Sequence, residues 1–545
     1  MRVRRGLAGA IAFAAFAAPA FAQEAPIIID AGRLDRVEPE APAPIELRGR
    51  DGARVEIAPA PREEAQTAPL ASVALQGGGL IPAAVEEIWR PFVGRPLDAA
   101  LAGEIAEAIA ALYRQTDVAL YSVIAPQQDL SDGALELVAI EGALADVAIE
   151  TDDPQADDIA LVQAYVAHLP TQRPLSRASM ERAFALIRAL PGVRLAANLV
   201  QTDQPGLARL VLRVEHDRVR VGAAINNRGT PRLGRTQVSA DLAWNGVALA
   251  GDQATIFAAA PTDFESFFFI AAAYSAPIGE DGVRVRVSAS RLETQPDGLR
   301  GTAETYGALV SYPLIASNAR SLTISGAFDW AESENATLGQ ITDTSRTRVL
   351  RAALAYGQIR GRLTLNAGAT LSLGLDAFDA YVDPILADVD FTRLSLTAGA
   401  ERVLFGDLRL RARFAAQLTD SLLPGGEMFT LGGDAFGRAY PSALIAGDSG
   451  FAAMGELAFV PRGMPDWARG SEAYLFIDGG QIWRAARGLS PELVTGLASW
   501  GGGLRLGLFD QTIIGLEAAG GLDSPHGEEI EDWRILLAAR SRWSE

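Results

Sequence analysis

The sequence predicts a mixed fold: two small β-α-α-β-β domains followed by a transmembrane antiparallel β-barrel of about 16 strands. Three observations predict it. One element order occurs twice in tandem between residues 70 and 217. From residue 218 onward, apolar residues alternate with strongly polar ones in segments separated by Gly, Asp, Asn and Pro. The N-terminus reads as a secretory leader.

The leader comes first in the chain. Arg2, Arg4 and Arg5 precede the apolar run Leu7–Ala18, and Pro19-Ala20-Phe21-Ala22 supplies an A-x-A cleavage pattern. Residues 1–22 therefore read as a signal peptide, with Gln23 as the mature start. An apolar run of about twelve residues is too short to be a retained membrane anchor. No later stretch of the 545 residues is an apolar helix of spanning length, which excludes a helical membrane protein.

Composition removes several function classes. A formal charge of −19 excludes nucleic acid as a partner, because phosphate is repelled by an acidic surface. The chain has no cysteine and no lysine, and all 48 basic residues are arginine. Thiol catalysis, cysteine-ligated metal, a Walker-A nucleotide loop and Schiff-base chemistry are all excluded. His168, His216 and His526 have no metal-ligand spacing, and Ser449 lacks a G-x-S-x-G frame. Gly77-Gly78-Gly79 continues into no dinucleotide fingerprint and reads as a turn. The expectation is no enzyme, no cofactor, no metal and no nucleotide.

Residues 23–69 hold seven of the 29 prolines, a density that favours an extended linker, with one short helix possible over Ile28–Val37. Residues 70–142 read as the first small domain. Leu70–Leu75 is a strand, Pro82–Arg90 and Leu97–Gln115 are helices, and Val118–Ile124 and Ala134–Ile140 are strands. Asp132-Gly133 is the turn ahead of the last strand. Residues 143–217 repeat the order: strand Ala145–Glu150, helix Asp158–His168, a second helix capped by Ser176 and carrying Met180, Phe184 and Ile187, then strands Val193–Gln201 and Leu207–Glu215.

Residues 218–545 read as the barrel. Leu363, Leu365, Ala367, Ala369, Leu371 and Leu373 alternate with Thr364, Asn366, Gly368, Thr370 and Ser372. A soluble sandwich would also alternate, so the polar residues decide. Arg409, Arg411 and Arg413 share one face and cannot pack in a dry core, but can line an aqueous lumen while leucines face lipid. Trp244, Trp330 and Tyr274 near segment ends suit interfacial girdles. The partner solvent is thus outer-membrane lipid.

Two barrel segments stand out. The glycine-rich stretch Leu431–Tyr440 is too irregular for a strand, yet carries Phe436, Gly437, Arg438 and Tyr440. In Phe476-Ile477-Asp478-Gly479-Gly480, Asp478 interrupts an apolar strand. A carboxylate there wants a cation, and an arginine on a loop folded into the lumen would serve, so Arg438 and Asp478 are a candidate salt bridge. Spacing alone favours a solvated loop arginine and a turn aspartate over this pairing.

At these residues the chain resembles the two-partner secretion transporters, the hemolysin activation/secretion family. Ala125–Leu130, Asp132-Gly133 and Ile140-Glu141-Gly142 resemble the end of the family's first POTRA domain, and Asn227-Arg228-Gly229 the opening of its barrel. Phe436, Gly437, Arg438 and Tyr440 resemble its lumen loop motif; Phe476, Asp478 and Gly480 resemble its F-x-D-x-G strand motif. Two departures are Ala439, where glycine is usual, and the Ser544-Glu545 ending.

The resemblance implies a bacterial outer-membrane barrel with two periplasmic POTRA domains and a loop tucked into the pore, where Arg438 pairs with Asp478. It implies export of a large unfolded partner exoprotein of adhesin or cytolysin type. POTRA-type folds leave an edge strand beside a helix, which can capture an extended chain. Here the candidate groove is Phe184 and Ile187 on the helix with Val193, Leu195 and Leu199 on the strand. A barrel-assembly (insertase) relative shares this architecture, and a plain porin or surface receptor shares the barrel alone.

Overall fold

The structure is a computed structural model that describes residues 68–545 apart from 154–157, 231, 296–298, 338–339, 489, 523–532 and 545. The signal peptide, the proline-rich segment up to residue 67 with its possible helix, and His526 lie outside the described residues. Two compact units meet in sequence between His216 and Asp217.

The N-terminal unit holds two copies of one topology. The first comprises β1 (Ser72–Gln76), α1 (Pro82–Trp89), α2 (Ala99–Leu112), β2 (Tyr121–Ile124) and β3 (Ala134–Glu141). The second comprises β4 (Ala143–Thr151), α3 (Asp158–Val166), α4 (Arg177–Arg188), β5 (Val193–Gln201) and β6 (Leu207–His216). The sheet orders are β1-β3-β2 and β4-β6-β5, each with one parallel and one antiparallel pair.

Local chemistry sets the boundaries. Asp98 caps α2, its carboxylate accepting from the Leu101 amide at 2.8 Å, so the helix starts two residues later than its apolar pattern. It stops at Leu112, where the chain tightens into a 3₁₀ turn over Tyr113–Gln115. Ser176 caps α4 by accepting from Ser179 N at 3.1 Å. Gly133 takes the turn at φ +76°, a conformation open to glycine. The first half of the expected strand Val118–Ile124 is diverted, because Val118 bridges Ser176 instead. Around that point the two copies are stapled together. Arg177 donates to the carbonyls of Tyr113, Arg114 and Val118, while Asp117 accepts from Ser176 Oγ at 2.6 Å and Ala178 N at 2.8 Å.

In the C-terminal unit sixteen described strands close into an antiparallel barrel running from Val219–Asn226 to Trp533–Ser544. The first and last strands meet with Arg220–Asn226 paired against Ala538–Ser544. Strand lengths differ around the wall: 8 residues for the first strand, but 18, 18 and 21 for Leu299–Ala316, Arg320–Thr337 and Gln340–Arg360.

The strand Glu472–Arg484 shows which face is which. Leu475 and Ile477 are 66% and 59% exposed, whereas Tyr474, Phe476 and Asp478 are buried. Large aliphatics lie on the outside of the closed barrel and polar groups inside, the reverse of a water-soluble barrel. The same outward belt continues through Trp500, Leu504, Leu516, Ile535 and Leu537. Among the described residues no helix is long and apolar enough to cross a membrane; the strands do that work.

Candidate functional site: a loop held in the barrel lumen

The connection between the strands Leu408–Leu418 and Ser449–Phe459 folds into the barrel. Its stem is a small hairpin pairing Phe429–Leu431 with Ile445–Gly447. The root is clamped by buried Asp448, which accepts from Leu423 N at 2.8 Å, Ala485 N at 2.9 Å and the Arg487 guanidinium at 2.6 Å. Gln417 donates to the carbonyls of Glu427 and Asp448, and the Glu427 carboxylate meets Arg351 and Arg393, each at 3.0 Å.

The tip spans Gly432–Tyr440. Gly432, Gly433 and Gly437 sit at φ +109°, +96° and +83°, which explains the glycine-rich sequence there. Asp478 reaches the tip through the backbone: its carboxylate accepts from Gly437 N at 2.9 Å and Arg438 N at 3.4 Å, and also from the Ser499 hydroxyl. The Arg438 guanidinium points elsewhere. It lies 3.1 Å from both Glu456 and Glu517, and its carbon stands 4.3 Å from the centre of the Phe476 ring. Its Nε is 3.6 Å from Asp478.

The expected pair is therefore brought together, but as a long single contact rather than a two-pronged one. The reason is geometric: Asp478 is spent on the loop's amides, and Glu456 on the adjacent strand and Glu517 two strands away stand within the guanidinium's reach. Tyr440 is fully buried, with its hydroxyl donating to Ala498 O at 2.9 Å. Ala439, also fully buried, is not among the residues in the left-handed region, so replacing the usual glycine strains nothing. Gly480 is needed for close strand packing, since a Cβ there would lie 2.2 Å from Phe451 O.

Around Arg438 the lumen wall carries an alternating lattice of charge. Glu456 also binds Arg411 and Arg505, Glu472 binds the same two arginines, and Glu401 binds Arg409 and Arg411. Tyr474 donates to Glu517 at 2.7 Å and lies under the Arg505 guanidinium at 3.7 Å. At the first strand's exit, Arg228 pairs with Asp434 of the loop tip and with Glu517 at 3.2 Å. Buried ions are tolerable only when they find opposite charge, and here Arg411, Arg438 and Arg505 each meet at least two carboxylates.

This lattice corrects one expectation. Arg409 and Arg411 face inward as their alternation requires, but they are consumed by carboxylates, whereas Arg413 stays exposed. No sequence motif marks Glu472, Arg505 and Glu517 as site residues. The available signal was parity: Glu472, Tyr474, Phe476 and Asp478 occupy one face of one strand.

The candidate groove of the second small domain also changes. β5 pairs only with β6 among the described strands and is an edge, with Leu199 and Val200 36% and 49% exposed. Val193 and Leu195 are half-buried against the core. Phe184 and Ile187 do not line a groove: they are buried in the core with Leu210, Leu212 and Val214, because α4 turns its strongest apolar face onto the sheet.

The comparisons with known proteins agree with this geometry. The family model for haemolysin secretion/activation protein ShlB/FhaC/HecB matches residues 209–506, and the model for the ShlB-type POTRA domain matches residues 68–142. No curated protein matches the sequence. Among solved structures, CdiB from Escherichia coli aligns with a TM-score of 0.69 at 18% identity, covering 90% of this chain and 93% of that one. CdiB from Acinetobacter baumannii aligns at 0.62 and 14% identity, covering 88% and 91%. BamA from Haemophilus ducreyi lacking POTRA domains 1-3 aligns at 0.51 and 11% identity, covering 87% and 100%. At such identities these likenesses show the fold.

Proposed function

The chain belongs to the haemolysin secretion/activation protein family, whose members are outer-membrane two-partner secretion transporters, and from that premise we propose that it captures a large, unfolded partner exoprotein in the periplasm and passes it to the cell surface. The observation that carries the reading is the edge strand β5 in a domain preceding a closed barrel. An extended chain adds to such an edge by backbone hydrogen bonds, and exposed Leu199 and Val200 offer it apolar contact. The partner is of adhesin or cytolysin type, a class that the family resemblance supplies.

Passage requires the lumen loop to leave its seat. A barrel of about 16 strands encloses an aqueous channel only when nothing fills it, and Arg438, Tyr440 and the hairpin stem fill this one. Directional transport without nucleotide then follows from folding of the partner outside. Assembly of other barrels, the rival reading, rests on the fold shared with BamA alone.

The test is secretion of a candidate large exoprotein co-expressed with this chain, assayed in the medium at matched barrel levels. Removing residues 143–216 should abolish secretion while leaving the barrel inserted. Normal secretion from that variant would overturn the reading of the second domain as receptor.

A further inference from the structure

The Asn227-Arg228-Gly229 motif lies where the first barrel strand ends, at the seam with the last. Asn227 continues the seam beyond the final ladder pair, Asn226 with Ala538. Its amide nitrogen donates to Leu537 O at 3.1 Å, its side-chain Nδ2 donates to Ile535 O at 2.9 Å, and its Oδ1 accepts from Leu537 N at 2.7 Å. The side-chain amide stands in for a peptide group. The turn that follows is tight: Arg228 N donates to Asn226 Oδ1 at 2.9 Å, and a Cβ on Gly229 would lie 2.0 Å from Gly234 O.

Arg228 leaves this turn and crosses the seam. Glu517, one of its partners, stands on the strand Thr512–Gly521, which lies on the far side of the last strand. Its other partner, Asp434, belongs to the loop tip. Glu517 in turn holds Arg438. The first strand, the strand beyond the seam and the lumen loop thus share one charge cluster, and no other ladder or loop contact described here joins all three.

We propose that Arg228 is a positioning residue for transport, an ionic latch that secures the first–last strand seam while the lumen loop is seated. When the loop departs it takes Asp434 and Arg438 with it, so Arg228 loses one of its two anchors. The seam then rests on its ladder and Asn227. Loop displacement and seam loosening are one event. The inference builds on the transport reading, but its test needs no partner protein.

The experiment is amide hydrogen exchange on the full-length protein in lipid vesicles. Arg228→Ala and Asp434→Asn should each raise exchange roughly tenfold or more at the loop tip and at both seam strands together, leaving Val283–Thr294 protected. Arg438→Ala, which touches no seam residue directly, should also loosen the seam. Arg291→Ala, which removes an exposed ion pair with Glu293 and Glu304, should change neither region. Arg228→Lys, which keeps a cation between Asp434 and Glu517, should retain protection at both regions. A loop that loosens while the seam stays protected, or a barrel that loosens everywhere, would overturn the latch. If Arg228→Ala fails to insert, Asp434→Asn decides alone. Failure of the secretion assay with normal coupling would sink the transport reading and leave the latch standing.

Discussion

Arg438 and Asp478 meet, but they anchor the loop by different means, and a double-mutant comparison separates them. Asp478→Ala removes the acceptor of the Gly437 and Arg438 amides, one bond at 2.9 Å and one at 3.4 Å. A buried donor left unsatisfied costs about 1–3 kcal/mol, so the pair together loses about 3 kcal/mol. Arg438→Ala removes one cation from Glu456 and one from Glu517, but Glu456 keeps Arg411 and Arg505, and Glu517 keeps Arg228. The cost falls at the low end for a broken buried pair, about 3 kcal/mol. The side-chain link described between them is the Arg438 Nε contact to Asp478 at 3.6 Å, which as a poorly formed pair couples the two by about 1 kcal/mol. The double variant should then cost about 5 kcal/mol, some 2 kcal/mol beyond either single variant, or about thirty-fold in the opening equilibrium. Exchange at residues 432–440 in the full-length protein reads this directly. A double variant no worse than the worse single one would refute the reasoning and make the Arg438–Asp478 contact the anchor.

Gly437→Ala should unseat the loop by about 2 kcal/mol or more, since φ is +83° and the new Cβ would come within 2.3 Å of Leu497 Cδ1; faster exchange at the tip with an intact barrel is the expected readout. Tyr440→Phe removes the bond to Ala498 O and should cost about 1 kcal/mol by the same measurement. Ser176→Ala removes both a helix cap and a bond to Asp117, and should raise exchange in the first turn of α4 by an amount matching about 1–2 kcal/mol. Burial raises the Asp158 carboxyl above its ordinary range, with the His216 imidazole opposing. The folded domain therefore holds that proton more tightly than the unfolded chain does. Its contribution to stability is greatest below the ordinary aspartate pKa and falls as pH climbs through the raised value. Asp158→Asn should flatten that decline in α3 exchange, once corrected for the intrinsic pH dependence; an unchanged slope would exclude Asp158 as its source.

What could be read from the sequence was whatever depends on neighbours along the chain. The alternation Leu363–Leu373 is a strand, Leu363–Gly374, because period two is a local property. Ser176 and Gly133 declare their turns through their own chemistry. The site was legible only as far as its motifs extended. Glu456 and Glu517 became partners of Arg438 through strand register around the barrel, which sets who stands opposite whom and leaves no mark on either segment alone. Phe184 and Ile187 were misplaced for a related reason: helical spacing marks an apolar face, but which surface that face meets is decided by the sheet beneath it.

The uneven wall has a consequence for the surrounding lipid. Eight residues in the first strand, tilted as barrel strands are, rise about 20 Å, less than the apolar band of about 25 Å such barrels present. The strands of 18 to 21 residues rise about 45–50 Å and stand well clear of it. A bilayer cannot match both heights around one circumference, so it must thin beside the first strands. The seam thus sits among the shortest strands of the wall, at a joint that the loop tip also holds.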